Sequence, residues 1–158
     1  MILATHALTG AVIGKNIDNP WLIIILALTI HFIMDSFRHG EYFDDRTASI
    51  KTTWWKVALD LFFAFSVLLS AFYFQQFNFE KTYHILLGSF FSMFPDLLTV
   101  FYWKFHFKFL EKIKTFHSFC HRYTRFPKYS PERMWTVRNA INDILISSVA
   151  IIMLFFFL

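Results

Sequence analysis

PWLIIILALTIHFIMDSFRH, residues 20–39, opens as a helix made for lipid and closes as something else. Residues 20–30 carry no charge, and then His31, Asp35 and His39 follow at spacings of four, with Arg38 beside the last. On an α-helix, residues four apart differ by about 40° in direction and about 6 Å in rise, so His31 and Asp35 can hold one ion between them. His39 lies about 12 Å along a straight helix from His31, too far to share that ion but within reach of a second one beside Asp35. An aspartate flanked by histidine at −4 and +4 is thus placed to bridge two metals, which in two-metal sites stand about 3.5–4 Å apart.

The rest of the chain reads in the same solvent. Of 158 residues, 56% are hydrophobic and only 16% charged, with 23 phenylalanines and a positive mean hydropathy, too apolar a balance for a soluble domain of this size. Four segments have the roughly 20 apolar residues that a bilayer requires: 20–39, 54–75, 83–103 and 137–158. A fifth, Ile2 to Ile13, is short and reads as a tilted span extended to Ile17 or as a re-entrant helix; with no basic residue before it and no small-residue cleavage site, it does not read as a signal peptide. The expected fold is all-α, a polytopic helical membrane protein of four to five membrane helices plus one interfacial helix, forming a single domain over 1–158. The lone Cys120 excludes an intrachain disulfide.

Charge sets the expected orientation. Between Lys104 and Arg138 lie nine of the fifteen Lys and Arg residues against only Glu111 and Glu132, a balance of +7 where the remainder carries −3. By the positive-inside rule this connection is cytoplasmic, which places the protein in a cell's inner (plasma) membrane with the 40–53 loop inside and the 15–19 and 76–82 turns outside. Trp54, Trp55, Trp103 and Trp135 then form a cytoplasmic aromatic belt, with Trp21 at the opposite face.

On that topology the unexpected polar residues share one depth. His6, His31, Asp35, His39, Asp60, Asp96, Asn139, Asn142 and Asp143 all fall in the cytoplasmic half, although chain direction alternates. An ionised Asp at a membrane helix centre costs roughly 2.5–3.5 kcal/mol. Even discounted for their off-centre depth, four of them would consume much of the roughly 5–15 kcal/mol that holds a typical protein together. Protonation, Arg38 and Arg138, or bound cations must offset that cost; histidines at the same depth favour metal.

The basic stretch repeats the chemistry in FHSFCHR, where His117 and His121 stand at i and i+4. Read as one helix, 104–125 puts Lys104, Lys108, Lys112 and Arg122 on one side and Phe105, Phe109, Ile113, Phe116 and Cys120 on an apolar stripe, with His106, His117 and His121 along its edge. That pattern is an amphipathic helix in the membrane interface. Cys120 reads as packed rather than as a ligand.

THALTGAVIG (5–14), HFIMDSFRHGEY (31–42), Pro95-Asp96 and FHSFCH (116–121) together resemble, in order and over most of the chain, the inner-membrane metal-dependent hydrolase family, the YdjM-type group once described as LexA-binding. The resemblance implies a metal-dependent hydrolase with His6, His31, Asp35, His39, Asp60, Asp96, His117 and His121 in matching positions. The His-x-x-x-Asp helix is also similar to that of the zinc-dependent phospholipase C and P1 nuclease group, which cleaves phosphodiesters. Arg38-His39 stands where the family often has Pro-His, and Glu41 where it often has Asp.

The reading is a membrane-embedded metal-dependent hydrolase acting on a phosphate ester of a lipid or another membrane-borne anion. Imidazole with carboxylate suits zinc first, in two or more ions, with manganese or iron as alternatives. His6, His31 and Asp35 are expected to hold one ion, and Asp35, His39 and His117 or His121 another. Water acidified between them attacks, and Asp60 or Asp96 completes a shell or takes the proton, so Asp35, Asp60 and Asp96 are the candidate catalytic carboxylates. Arg38, Lys108 and Arg122 are expected to attract the substrate. The expected partners are the bilayer, an anionic lipid-linked or phosphorylated substrate and, in a homo-oligomer, further copies of the chain; no direct nucleic-acid binding is expected. The rivals are a metal-ion or proton-coupled transporter and a metal-stabilised interaction protein.

The orientation is testable directly. With Cys120→Ser as background, Lys114→Cys should resist an impermeant thiol reagent applied to intact cells and react after permeabilisation. Labelling from outside would reverse the topology.

Overall fold

A computed structural model describes residues 1–41, 50–121, 126–127 and 130–156, with the backbone alone for 50–52. Residues 42–49 of the expected 40–53 connection, and Arg122, lie outside the described residues. The described chain forms α1 (Leu3–Asn16), α2 (Pro20–Asp35), α3 (Ile50–Gln75), α4 (Phe79–Phe105), α5 (Lys108–Cys120) and α6 (Val137–Phe156). It is a polytopic, all-α membrane protein.

Three of these helices are long and apolar enough to cross a bilayer: Thr53–Gln75 within α3, Phe79–Phe105 and Val137–Phe156. That is fewer than the four to five expected. α2 is apolar but has 16 residues, about 24 Å of rise, and it stops at Asp35 rather than running on to His39. Its start is sharp because the Asn19 carbonyl oxygen of the side chain accepts from Trp21 N (3.0 Å) and Leu22 N (3.2 Å) and Pro20 sits where no N–H is needed. At its other end the hydroxyl and amide of Ser36 both turn back onto the Ile33 carbonyl.

α1 is neither a lipid-facing span nor a surface segment. It is 14 residues long and lies at the centre, packed by α2, α3, α4 and α6, with Ala4, Thr5, His6, Ala7, Leu8, Gly10, Ala11 and Gly14 buried. Glycine makes this possible. A Cβ on Gly10 would stand 2.2 Å from the Gly88 carbonyl oxygen, and one on Gly14 would stand 2.0 Å from that of His84. The α1 and α4 backbones therefore touch, the close approach that small-xxx-small patterns permit between membrane helices. Around this contact Leu8, Ala11, Leu68, Ile85, Ala150 and Leu154 form the apolar core. Outward, Leu59, Phe62, Leu69 and Phe74 of α3 are exposed, as a lipid-facing helix requires.

The expected single helix over 104–125 is broken. α4 runs on to Phe105, His106 takes a left-handed conformation (φ 53°), and α5 begins at Lys108. His106 is thereby exposed and separated from His117 and His121, so the three do not share a strip. α5 packs on α4 and α2 through Leu110 and His117 and leaves Phe109 and Phe119 outside, 71% and 82% exposed.

Both ends of the bundle are tied by polar side chains. At one, Lys15 Nζ donates to the Met153 and Leu154 carbonyls (3.0 and 2.9 Å) at the carboxyl end of α6, where a cation is favoured. Lys81 Nζ donates to Lys15 O (2.9 Å) and Asp18 (2.7 Å), and its hydrogen bond and charge hold Asp18 below the usual carboxylate range. At the other end Arg38 Nε donates to Asn139 Oδ1 (2.7 Å) and Asn142 Nδ2 donates to Arg38 O (2.7 Å), fastening the end of α2 to the start of α6.

The α1–α4 contact yields a measurable expectation. Gly14→Ala or Gly88→Ala must push backbones apart, and overpacking of that kind costs about 1–3 kcal/mol. For a chain of this size that lowers the melting midpoint by roughly 2–4 °C per kcal/mol. The exposed Ser66→Ala, whose hydroxyl only caps the Phe62 carbonyl of its own helix, serves as the neutral control. Unchanged midpoints in the glycine variants would refute the contact.

Candidate metal centre

At the Asn139 end, α2 delivers His31 and Asp35 to the interior, both fully buried. The chain then leaves the helix, and an extended turn, rather than a further helical turn, returns His39 toward the bundle, its Nδ1–H donating to the Phe37 carbonyl (2.9 Å). α4 supplies Asp96, α5 supplies His117, and His121 follows directly at the end of α5. Two overlapping groups result, each with its ligand atoms within 4.8 Å of one another: His31, Asp35, Asp96 and His117, and Asp35, His39 and His121. This is a buried His/Asp cluster able to coordinate a metal ion, with Asp35 common to both halves.

The distances match a coordination shell. Asp35 Oδ2 lies 3.0 Å from His31 Nε2, 2.9 Å from His117 Nε2 and 3.1 Å from His121 Nε2. The nitrogens crowd each other as well, His31 to His117 at 3.2 Å and His121 to His117 at 3.0 Å. Around a tetrahedral ion with ligand bonds of about 2.0–2.1 Å, neighbouring ligand atoms stand about 3.3 Å apart.

The far sides of the rings show which atoms face inward. His31 Nδ1 lies 2.7 Å from the Ser92 carbonyl, which can only accept, so Nδ1 carries the hydrogen and Nε2 presents a lone pair. The Thr99 hydroxyl gives its hydrogen to Pro95 O (3.1 Å) and so accepts from His117 Nδ1 (2.8 Å), leaving His117 Nε2 bare. His39 Nδ1 donates to Phe37 O, so its Nε2 accepts from His121 Nδ1 (3.1 Å), and His121 Nε2 is bare too. Three lone pairs and a carboxylate oxygen then converge with no hydrogen between them. Lone pairs repel at that separation, and a cation placed among them removes the conflict. Putting a proton on each nitrogen would instead crowd three positive rings together. Fixing ring tautomers by outer hydrogen bonds is the usual preparation of histidine ligands.

The remaining expected site residues sit differently. His6 is buried, with Nε2 3.2 Å from Asp35 Oδ1, the oxygen that also receives the Met1 ammonium (2.6 Å); it faces the cluster's other side and belongs to neither group. Asp60 also stands outside both groups: its Oδ2 accepts from Ala4 N (3.0 Å), capping the start of α1. Asp96 is on the open side, its side chain 26% exposed and Oδ1 3.4 Å from His117 Nε2. Arg38 is half-buried against Asn139, and Lys108 is exposed at the first turn of α5.

Sequence reading missed Ser92 and Thr99, whose role lies in hydrogen bonds to the ligands, and only the position of Thr99 one turn after Pro95 hinted at it. It also missed His84, buried at the opposite end beside Gly14. Compared with protein-family models, curated proteins and solved structures, the chain matches none of them.

Metal analysis of protein purified without chelator should find stoichiometric transition metal. His31→Ala and His117→Ala should each remove at least one ion. Thr99→Val, which deletes only the hydrogen bond behind His117, should weaken metal affinity by about 10–100-fold. Metal-free wild-type protein would refute the assignment.

Proposed function

We propose that the protein is a membrane-embedded metal-dependent hydrolase that cleaves a phosphate ester of a lipid or another membrane-borne anion. The observation that carries this reading is the convergence of three deprotonated imidazole nitrogens on one buried carboxylate with a second carboxylate, Asp96, on the open side. The resemblance of its motifs, in their order, to the inner-membrane metal-dependent hydrolase family is in keeping with it. Mixed nitrogen and oxygen ligands favour zinc, with manganese or iron as alternatives, and Asp35, which both groups share, would be a ligand to metal held there. Divalent metal held there supplies a Lewis acid and lowers the pKa of water toward neutrality.

The chain's own residues divide the remaining work. His31, His117 and His121 would hold metal together with Asp35, while His39, whose Nε2 accepts the His121 Nδ1 hydrogen, orients His121. Asp96 would take the proton of the attacking water, because of the two carboxylates in the cluster it is the one with access from outside. Asp60 is committed to the α1 amide. The phosphorus–oxygen ester bond breaks as the water oxygen bonds to phosphorus, and the proton passes through Asp96 to the leaving alkoxide.

α5 joins the site to the bilayer. It carries His117 on its protein side, with His121 at its end, and Phe109, Phe116 and Phe119 outside; its Lys108 and Lys112, and Lys104 at the end of α4, are available to anionic headgroups. Each such cation near an anionic membrane is worth about 1 kcal/mol of attraction. In the orientation proposed from charge, this face is cytoplasmic and the membrane is the inner membrane.

A panel of phospholipids, polyprenyl phosphates and nucleotides, assayed with and without chelator, tests the reading. Hydrolysis should need metal and disappear in Asp35→Ala. Asp96→Asn should retain metal while kcat falls by about 10²–10⁴-fold, the usual contribution of a general base. Lys108→Ala should raise KM a few-fold on anionic vesicles and leave kcat unchanged. A folded, metal-loaded protein inactive across the panel would refute the hydrolase.

A further inference from the structure

His117, on α5, and His121, directly after it, reach Asp35 only if α5 leaves α4 at the right angle. Of the 13 residues of α5 only Leu110 and His117 are buried, and a helix so short is marginal on its own. The angle is set at His106, whose left-handed backbone (φ 53°) is unfavourable for a residue with a Cβ. The backbone bonds beside it, His106 N to Tyr102 O (2.8 Å) and Leu110 N to Phe107 O (2.9 Å), close the end of α4 and the start of α5 without joining the two.

What spans the break is a row of rings. Phe105 ends α4, Phe107 stands in the break and Phe109 lies in the first turn of α5. The rings stack nearly face to face, Phe105 on Phe107 with centroids 5.5 Å apart at 20°, and Phe107 on Phe109 at 5.5 Å and 22°. Any change in the angle between α4 and α5 would part them. All three are exposed, so water would meet the row along its length.

Cations interleave the row, in KFHFKF (104–109). Lys104 Nζ lies 5.3 Å over the Phe105 ring, Lys108 stands between the other two in sequence, and Lys112 follows one turn on. Glu111 is the one carboxylate in α5. The membrane-crossing length of α4 runs to Phe105, so the row begins where the span ends. Apolar rings edged by ammonium groups at that level fit the boundary between acyl chains and anionic headgroups.

We propose that this row is a lock closed by the anionic surface of the bilayer: seating the stacked rings fixes α5 at the angle that delivers His117 and His121, so the membrane raises the affinity of the centre for metal. The inference rests on the metal centre and not on hydrolysis. A bilayer shifts α5 only by preferring one arrangement, and the stacked row is the arrangement that offers it one continuous apolar edge. By reciprocity, metal strengthens the hold of α5 on the surface.

Zinc affinity in nanodiscs holding one chain each, with free zinc fixed by a chelator buffer, tests the lock. In discs containing phosphatidylglycerol, wild type should bind zinc about tenfold more tightly than Phe107→Ala, within the range of about 5–150-fold usual for such couplings. In phosphatidylcholine discs the two should bind alike. Comparing both proteins in the same discs cancels zinc gathered by the anionic lipid itself. Phe79→Ala, which removes an exposed ring at the opposite end of α4, should match wild type in both lipids. Lys104→Gln keeps all three rings and should lose up to about fivefold in the anionic discs alone, the worth of one cation at such a surface; it decides the matter if Phe107→Ala does not fold. The same wild-type advantage in both lipids would overturn the lock by making the row a structural brace, and no advantage in either would overturn it outright. An advantage seen only with several chains per disc would assign the row to a second copy and overturn it likewise. Failure of every protein to bind zinc would overturn the metal centre and the lock together, whereas the predicted zinc affinities without hydrolysis would support the lock and sink only the hydrolase.

Discussion

The carboxylate of Asp35 is the group around which one end of this protein is arranged. Its side chain is completely buried, and nitrogens of Met1, His6, His31, His117 and His121 lie between 2.6 and 3.2 Å from its two oxygens. They arrive from the start of α1, from α2 and from α5. An isolated carboxylate in so apolar a setting is untenable, because burial of an unpaired charge costs more than a small protein's whole stability. The elements that converge here are therefore held together by a charge that needs all of them.

Such a constraint matters more in a bilayer than in water. Lipid tails are as apolar as leucine, so the exposed side chains of α3 and α6 supply little force to draw helices together. Close backbone packing and polar bonds must do so. The Gly10–Gly88 contact seats α1 at the centre, and that position in turn brings Met1 and His6 to Asp35, the Ala4 amide to Asp60 and the Ile2 amide to Asp143. The geometry of the cluster thus depends on three glycines, each more than a helical turn away in sequence from any residue of the metal groups.

The division of ligands between elements bears on function. α2 and α4 are fixed by the bundle, whereas α5 hangs from α4 by the left-handed break at His106 and touches the rest mainly through Leu110 and His117. Two of the four histidines in the metal groups ride on the helix whose outer face is phenylalanine and lysine. A bound ion would join that surface helix to the buried core, so metal and bilayer act on the same element. Asp96, at the cluster's accessible side, is where a reactant reaching it from the membrane surface would first meet protein chemistry.

Membrane character, the all-helical class and the concentration of His and Asp at one depth were legible in the sequence, because hydropathy and the cost of burying charge are properties of residue types. The pairing of His31 with Asp35 was legible too, since spacing four fixes direction on any helix. The reach of His39 was read on a helix that in fact ends at Asp35, and the 104–125 helix was drawn through the break at His106; periodicity shows which face a residue would occupy, not where hydrogen bonding stops. Asp60 and Asp96 looked equivalent in the sequence, both being acidic residues at similar depth. Tertiary structure separated them, because Asp60 meets an orphan amide at the start of α1 and Asp96 meets His117. The glycines at 10, 14 and 88 likewise gained meaning only once two backbones touched, for a missing side chain carries no signal until something occupies its place.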